Sequence, residues 1–244
     1  MRKVQVLSVS LYDYTVREAM RKVEEFFRQG KASTIAYVSK EGIMDADEDE
    51  QIKEFYNKMD LIVFTDPDIL RAANVETRNR LKEIEENAFI DEFLKKMIRQ
   101  KKSIYLLAQT DAELVKLETG LRSYQENLNF VGRFALEHLE ADEDFVVNEI
   151  NMQQPNVLIS ILPAVKRIEF YDANHMKLNT NIWLMLKDDV DLKNKNRGLI
   201  RKIYDNLMRS IFKKRLLQYE TEKEEAAREK EENDGDVSSQ REMP

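Results

Sequence analysis

The segment LIVFTDPDILRAANVE, residues 61–76, carries four apolar residues, then Asp66-Pro67-Asp68, then a stretch with helical character. A short run rich in β-branched and aromatic residues and closed by polar turn formers reads as a buried strand over 61–65. Asp66 is placed to cap a helix with its carboxylate. Pro67 would take the first helical position, where its missing N–H costs nothing and its fixed φ suits the helix. The same residues match the D-x-D spacing with which two carboxylates hold a divalent metal, and Asp66 alone could serve as an acid–base group. Cap, metal ligand and catalytic carboxylate are three readings of one pattern at the end of a buried strand.

Working outward, comparable runs occur at STIAYV (33–38), IYLLA (104–108), NFVG (129–132), NVLISIL (156–162) and NIWLML (181–186). Helical patterns separate them at 51–59, after Asp111 as a cap, and around 145–150. At the amino end VQVLSV alternates as a half-buried strand does. Thr15 with Glu18 forms a capping box ahead of Val16, Ala19, Met20, Val23, Phe26 and Phe27 at helical spacing, so a strand followed by a helix is expected. Strands alternating with helices predict crossover units, and therefore an α/β fold with a Rossmann-like, doubly wound, mostly parallel sheet. Such sheets bind ligands beyond the carboxyl ends of their strands, beside a change in strand order, and Asp66 falls at one such end. The glycines, at 30, 42, 120, 132, 198 and 235, form neither G-x-G-x-x-G nor a P-loop, which removes the kinase, GTPase and ordinary dinucleotide-enzyme readings.

Composition narrows the classes further. Without cysteine there is no disulfide, thiolate nucleophile or zinc–cysteine site, in keeping with a reducing compartment. His138 and His175 have no second histidine at ligand spacing, so a histidine-based metal site is not expected. A formal charge of −7 argues against nucleic-acid binding. Polar residues interrupt the first apolar run too early for a signal peptide, and no stretch reaches the roughly 20 apolar residues of a membrane span. MDADEDE (44–50) places Asp45, Asp47 and Asp49 at calcium-loop spacing, but Glu50 stands where glycine is needed and Tyr56 where a bidentate glutamate belongs. It reads as a solvated loop and first helical turn.

The carboxyl-terminal part differs in kind. Across 193–215 the cations Lys193, Lys195, Arg197, Arg201, Lys202, Arg209, Lys213, Lys214 and Arg215 face the single acid Asp205. Between them Leu199, Ile200, Ile203, Tyr204, Leu207, Met208, Ile211 and Phe212 recur at three- and four-residue steps. This is the pattern of a basic amphipathic helix lying on an anionic membrane surface or meeting a phosphate-rich headgroup, and equally of a core-packed final helix with solvated charges. From 220 the chain turns acidic and ends in NDGDVSSQREMP, expected to be a disordered tail. The predicted organisation is a sheet domain over 1–192, a basic appendage over 193–219 and an acidic tail over 220–244.

In this order the segments resemble the WecG/TagA/CpsF family of bacterial glycosyltransferases. VLSVSLYDYTVREAMRKVEEFF is similar to the family's opening strand and capped helix, and MDLIVFTDPDIL stands where the family has A-D-L-V-V-P-D-G-x-G. NEINMQQPNVLISILPAVKRIEF resembles I-N-x-S-x-P-D-[IV]-L-L-V-G-L-G-x-P-K-Q-E, and the basic helix resembles the family's carboxyl-terminal appendage. The resemblance implies transfer of an N-acetylmannosamine-type sugar from a UDP donor to a polyprenyl-diphosphate-linked acceptor at the cytoplasmic face of the cell membrane, with inversion and without a metal or other cofactor. It implies Asp66 as the general base, Ser39, Asp91, Lys166 and Arg167 at substrate-binding positions, and Arg197, Arg201, Lys202, Arg209, Lys213, Lys214 and Arg215 toward the membrane or a lipid diphosphate. It also implies a homo-oligomer or pairing with an active transferase. Pro67 replaces the glycine after the aspartate, and both glycines of G-L-G-x-P-K-Q-E are absent. An active transferase and a non-catalytic relative acting as a membrane-associated partner or scaffold therefore both remain open.

Overall fold

The amino-terminal segment departs first from expectation. Arg2–Val6 (β1) and Val9–Asp13 (β2) pair antiparallel, Val6 opposite Val9, so one expected strand is a hairpin standing apart from the main sheet. Its turn is made by Leu7, at φ 54°, and Ser8, whose N–H donates to Asp47 at 3.0 Å. Leucine in the left-handed region is not a turn signal, and the burial of Leu7 rather than turn chemistry holds it there. Val16–Phe26 (α1) follows with the expected capping box: Thr15 accepts from the Glu18 N–H, and Glu18 accepts from the Thr15 N–H at 3.0 Å.

The computed structural model describes residues 1–139, 142–186 and 199–239, and it divides into a unit of residues 1–197 and a second of 198–244. In the first unit Ser33–Val38 (β3) leads through Lys40–Glu48 (α2) and Glu50–Lys58 (α3) to Leu61–Phe64 (β4). Pro67–Ala72 (α4), Arg78–Glu85 (α5) and Ala88–Arg99 (α6) lead to Ser103–Ala108 (β5), and Asp111–Tyr124 (α7) leads to Asn129–Ala135 (β6). Glu143–Gln153 (α8), Val157–Ile161 (β7), Ala164–Asn174 (α9) and Ile182–Leu186 (β8) complete it. Six strands form one sheet in the order β4-β3-β8-β7-β5-β6, every described pair parallel. The doubly wound parallel sheet expected from the sequence is the observed one.

Three local expectations are corrected. Asp45 and Asp47 lie inside α2 rather than in a loop, because Ser39 caps that helix and Ile43 and Ala46 bury one side of it; Asp49 then caps α3. Thr110, not Asp111, caps α7, in a second capping box with Glu113. β6 continues past Gly132 to Ala135, because the glycine is an interior position: a Cβ there would lie 2.4 Å from the Tyr105 ring.

Every residue of β3, β7 and β8 is buried, as expected for strands covered on both faces. On one face Ile35, Leu61, Ile104, Leu106, Ile159 and Leu184 pack with Val23 of α1, Phe93 and Met97 of α6 and Leu117 and Leu121 of α7. On the other, Trp183 meets the Phe170 ring of α9 edge-on at 5.8 Å and donates to the Ser160 hydroxyl at 2.8 Å, while Tyr171 of α9 meets Phe55 of α3 at 5.4 Å. The chain therefore leaves β3 toward one face and its neighbour β4 toward the other, the arrangement beside which doubly wound sheets bind ligands at their carboxyl ends.

The second unit contains Leu199–Ser239 (α10). It runs through position 219, where the charge changes sign, because the glutamate-, lysine-, alanine- and arginine-rich sequence beyond keeps a high helix propensity.

Candidate functional site

Ser39 follows β3 directly, and its hydroxyl accepts from the Gly42 N–H at 3.3 Å to start α2. At the neighbouring strand end Thr65 donates its N–H to the Val38 carbonyl at 2.9 Å, which ties the two exits together. Asp66 then caps α4 by accepting the Asp68 N–H at 2.9 Å, with Pro67 in the first turn. The cap reading of Asp66-Pro67-Asp68 is thus seen directly. The carboxylate of Asp68 pairs with Arg71 at 2.9 Å, and Arg71 also reaches Glu85 at 3.3 Å.

The second oxygen of Asp66 is bound by a residue that the sequence reading passed over. Lys40 Nζ lies 2.8 Å from Asp66 Oδ2, with the side chains only 7% and 16% exposed. Lys40 occupies the first position of α2, where the positive end of the helix dipole disfavours a cation. A lysine two residues after a fully buried strand, at a position that suits an acid, was the available signal. It is silent in any motif search.

Arg167 lies one turn into α9, on the stripe shared with Phe170, Tyr171 and Asn174 that faces inward. Its guanidinium Nε and Nη1 are buried and have no hydrogen-bond partner among the described residues. Its residue is 6% exposed. Burying an ionised group without a partner is costly, and an anion at this position would offset that cost. The start of α9 adds to this demand. Pro163 offers no side-chain cap, and the first helical N–H groups have no partner within the helix. β7 and β3 are separated in the sheet by β8 alone, so the exits carrying Arg167 and Lys40 are about 10 Å apart at the sheet edge.

The other expected site residues are placed differently. Lys166 is bound to Glu143 of α8 at 2.6 Å, which ties α9 to α8. Asp91 pairs with Lys95 at 2.8 Å and accepts from Gln125 at 3.1 Å. Gln125 closes α7, so Asp91 is tied to the end of that helix. Ser39, Asp66 and Arg167 thus share one edge of the sheet, while Lys166 and Asp91 are held by other partners.

Two further clusters lie outside this group. Asp111, Glu137 and His138 gather where β5 and β6 end, all exposed, their ligand-type atoms within 4.8 Å of one another. Glu137 accepts from the Asp111 N–H at 2.6 Å and His138 Nε2 lies 2.7 Å from Asp111 Oδ2, contacts that account for the grouping as a helix-start network. On the inner side of β3 and β4, a cleft is lined by Tyr14, Tyr37, Arg80, Glu83, Asn87 and Phe89. There the hydroxyl of Tyr37 is buried without a partner among the described residues, and burial pushes its pKa well up.

On α10, Arg209, Lys213, Lys214 and Arg215 are helical, Arg215 pairing with Glu222 at 3.3 Å, and Tyr204, Leu207 and Ile211 are exposed at three- and four-residue steps. Arg197 lies outside the described residues, and for Arg201 and Lys202 only the helical backbone is described. No described helix is long and apolar enough to cross a membrane.

No curated protein matches the chain. Residues 4–188, which include Ser39, Lys40, Asp66 and Arg167, match the glycosyl transferase WecG/TagA/CpsF family model, and the chain belongs to that family.

Proposed function

We propose that the carboxyl edge of the sheet binds a UDP-sugar and that the chain transfers an N-acetylmannosamine-type sugar to a polyprenyl-diphosphate-linked acceptor in cell-surface polysaccharide or teichoic acid synthesis. The observation that carries this reading is the buried guanidinium of Arg167, two of whose nitrogens have no partner among the described residues, in a helix whose start has no side-chain cap. A planar guanidinium together with helix N–H groups is suited to a diphosphate, and here they stand in for the glycine loop that the sequence lacks.

In the reaction the acceptor oxygen attacks the anomeric carbon while the bond from that carbon to the donor phosphate breaks. UDP leaves with the electron pair, and the acceptor hydroxyl proton passes to the Asp66 carboxylate. Arg167 and the α9 N–H groups stabilise the charge that gathers on the departing diphosphate. Asp66 pairs with Lys40 and accepts from the Asp68 N–H, yet a carboxylate has about four lone-pair sites, so capacity remains for the acceptor hydroxyl. The amphipathic part of α10 supplies contact with an anionic membrane at the cytoplasmic face.

Calorimetry with UDP and UDP-N-acetylmannosamine tests the site. Binding with Kd below about 1 mM is expected, weakened at least about tenfold in Arg167→Met, in keeping with loss of a charge-assisted bidentate contact. Absence of UDP affinity at millimolar concentration overturns the reading.

One observation favours a non-catalytic relative that partners an active transferase: both Asp66 oxygens already hold the fold together. A transfer assay on a lipid-linked acceptor separates the two. Turnover lost in Asp66→Ala speaks for catalysis, and UDP binding without turnover in the wild type speaks for the partner role.

A further inference from the structure

Lys40 is buried, sits where the α2 dipole repels a cation, and has one ion-pair partner among the described residues, Asp66 at 2.8 Å. An ion pair so enclosed is not needed to start either helix. Ser39 already caps α2 through its hydroxyl, and Asp66 caps α4 with its other oxygen. What Lys40 does is neutralise the carboxylate that would serve as base, and Arg167, on the helix that follows β7, is a second buried cation toward the same edge of the sheet. The Lys40–Asp66 pair is neutral in itself, and an incoming diphosphate brings more negative charge than Asp66 offers.

We propose that Lys40 is an exchangeable positioning residue. In the unliganded protein its ammonium holds Asp66. When the donor binds, the ammonium turns to the diphosphate, and Asp66 Oδ2 becomes free to face the acceptor hydroxyl. No bond is made or broken in this step. One ion-pair contact is exchanged for another, and the base is uncovered only when a donor is present. This rests on the donor site proposed above and adds to it the residue that couples donor binding to the base.

The exchange makes the two members of one ion pair act with opposite sign. Calorimetry with UDP and with inorganic pyrophosphate is done on the wild type, Asp66→Asn, Lys40→Met and the double variant. Asparagine keeps a side-chain oxygen to cap α4. Asp66→Asn should tighten binding about tenfold, because the ligand no longer competes with a carboxylate for Lys40, and Lys40→Met should weaken it about tenfold. Unchanged or weaker binding in Asp66→Asn, or unchanged binding in Lys40→Met, overturns the exchange.

Simple repulsion between Asp66 and the ligand would also give tightening, but it would persist without Lys40. The gain from Asp66→Asn must therefore shrink in the Lys40→Met background, and an equal gain there overturns the proposal. If Lys40→Met does not fold, the double variant is compared with Asp66→Asn, and about tenfold weaker binding is required. If neither ligand binds any form, the donor site itself falls. If the wild type binds and Asp66→Asn does not tighten, only the exchange falls.

Discussion

Two ion pairs stand at the carboxyl edge of the same sheet, and they have almost the same length. Lys40–Asp66, beyond β3 and β4, measures 2.8 Å, and His138–Asp111, beyond β5 and β6, measures 2.7 Å. The first pair is 7% and 16% exposed, the second 58% and 64%. Distance therefore does not rank them, and access of water does. In the exposed pair water replaces either partner at little cost, and salt screens what remains. In the buried pair each charge depends on the other, so losing one partner strands the other in a medium that solvates it poorly. A site that holds an anion needs the second kind of environment, and Arg167 has two buried guanidinium nitrogens with no partner among the described residues.

The largest effect expected from breaking this comparison is on Lys40. Lys40→Met should lower the unfolding free energy by about 3 kcal/mol, as removal of one member of a buried pair typically does. Urea unfolding at constant m-value measures it. Adding Asp66→Asn should recover a substantial part, because the stranded charge is then gone. Equal destabilisation in the single and double variants would show that Lys40 acts through packing of its stem and not through its charge.

Much of this architecture was legible in the chain. The runs at 33–38, 61–65, 104–108, 156–162 and 181–186 became β3, β4, β5, β7 and β8 within a residue at either end, because strands buried on both faces leave continuous apolar runs. Asp66 and Pro67 announced the start of α4, since a cap is local chemistry. What was not legible depended on contacts distant in sequence. The hairpin turn at Leu7 and Ser8 is held by burial and by Asp47, and the interior place of Gly132 is set by the Tyr105 ring. Likewise Lys166 and Arg167 are adjacent in sequence, yet one faces Glu143 and the other faces inward, two of its nitrogens without a partner among the described residues. Sequence named both as ligand candidates. Only the helix stripe separates them.

Arg167 sharpens the comparison from the opposite direction. If its buried charge is kept for a ligand, the ligand-free protein carries the desolvation of that charge uncompensated. Arg167→Met, which keeps an unbranched apolar stem, should then raise stability by about 1 kcal/mol while weakening UDP binding. Urea unfolding and calorimetry on the same preparation measure the two. A loss of stability with binding retained would make Arg167 a structural residue with partners beyond those described.

The exposed pair should give the smallest effect, and it carries a sign that pH reveals. The hydrogen bond from His138 to Asp111 raises the histidine above its ordinary value of 6.5, so the folded chain binds the proton more tightly than the unfolded chain does. The contribution of the pair is then fully present below about pH 6.5 and is lost as pH rises through the higher folded value. Comparing the Tm of the wild type and of His138→Gln at pH 5 and pH 8 should show a small deficit for the variant in acid that closes in base. Because both side chains are well exposed, the deficit should be a small fraction of that for Lys40→Met. A deficit that instead widens with rising pH would mean that the neutral ring, through its other nitrogen or its packing, is what the turn after β6 requires. The contrast between the two edges would then rest on shape as well as on water.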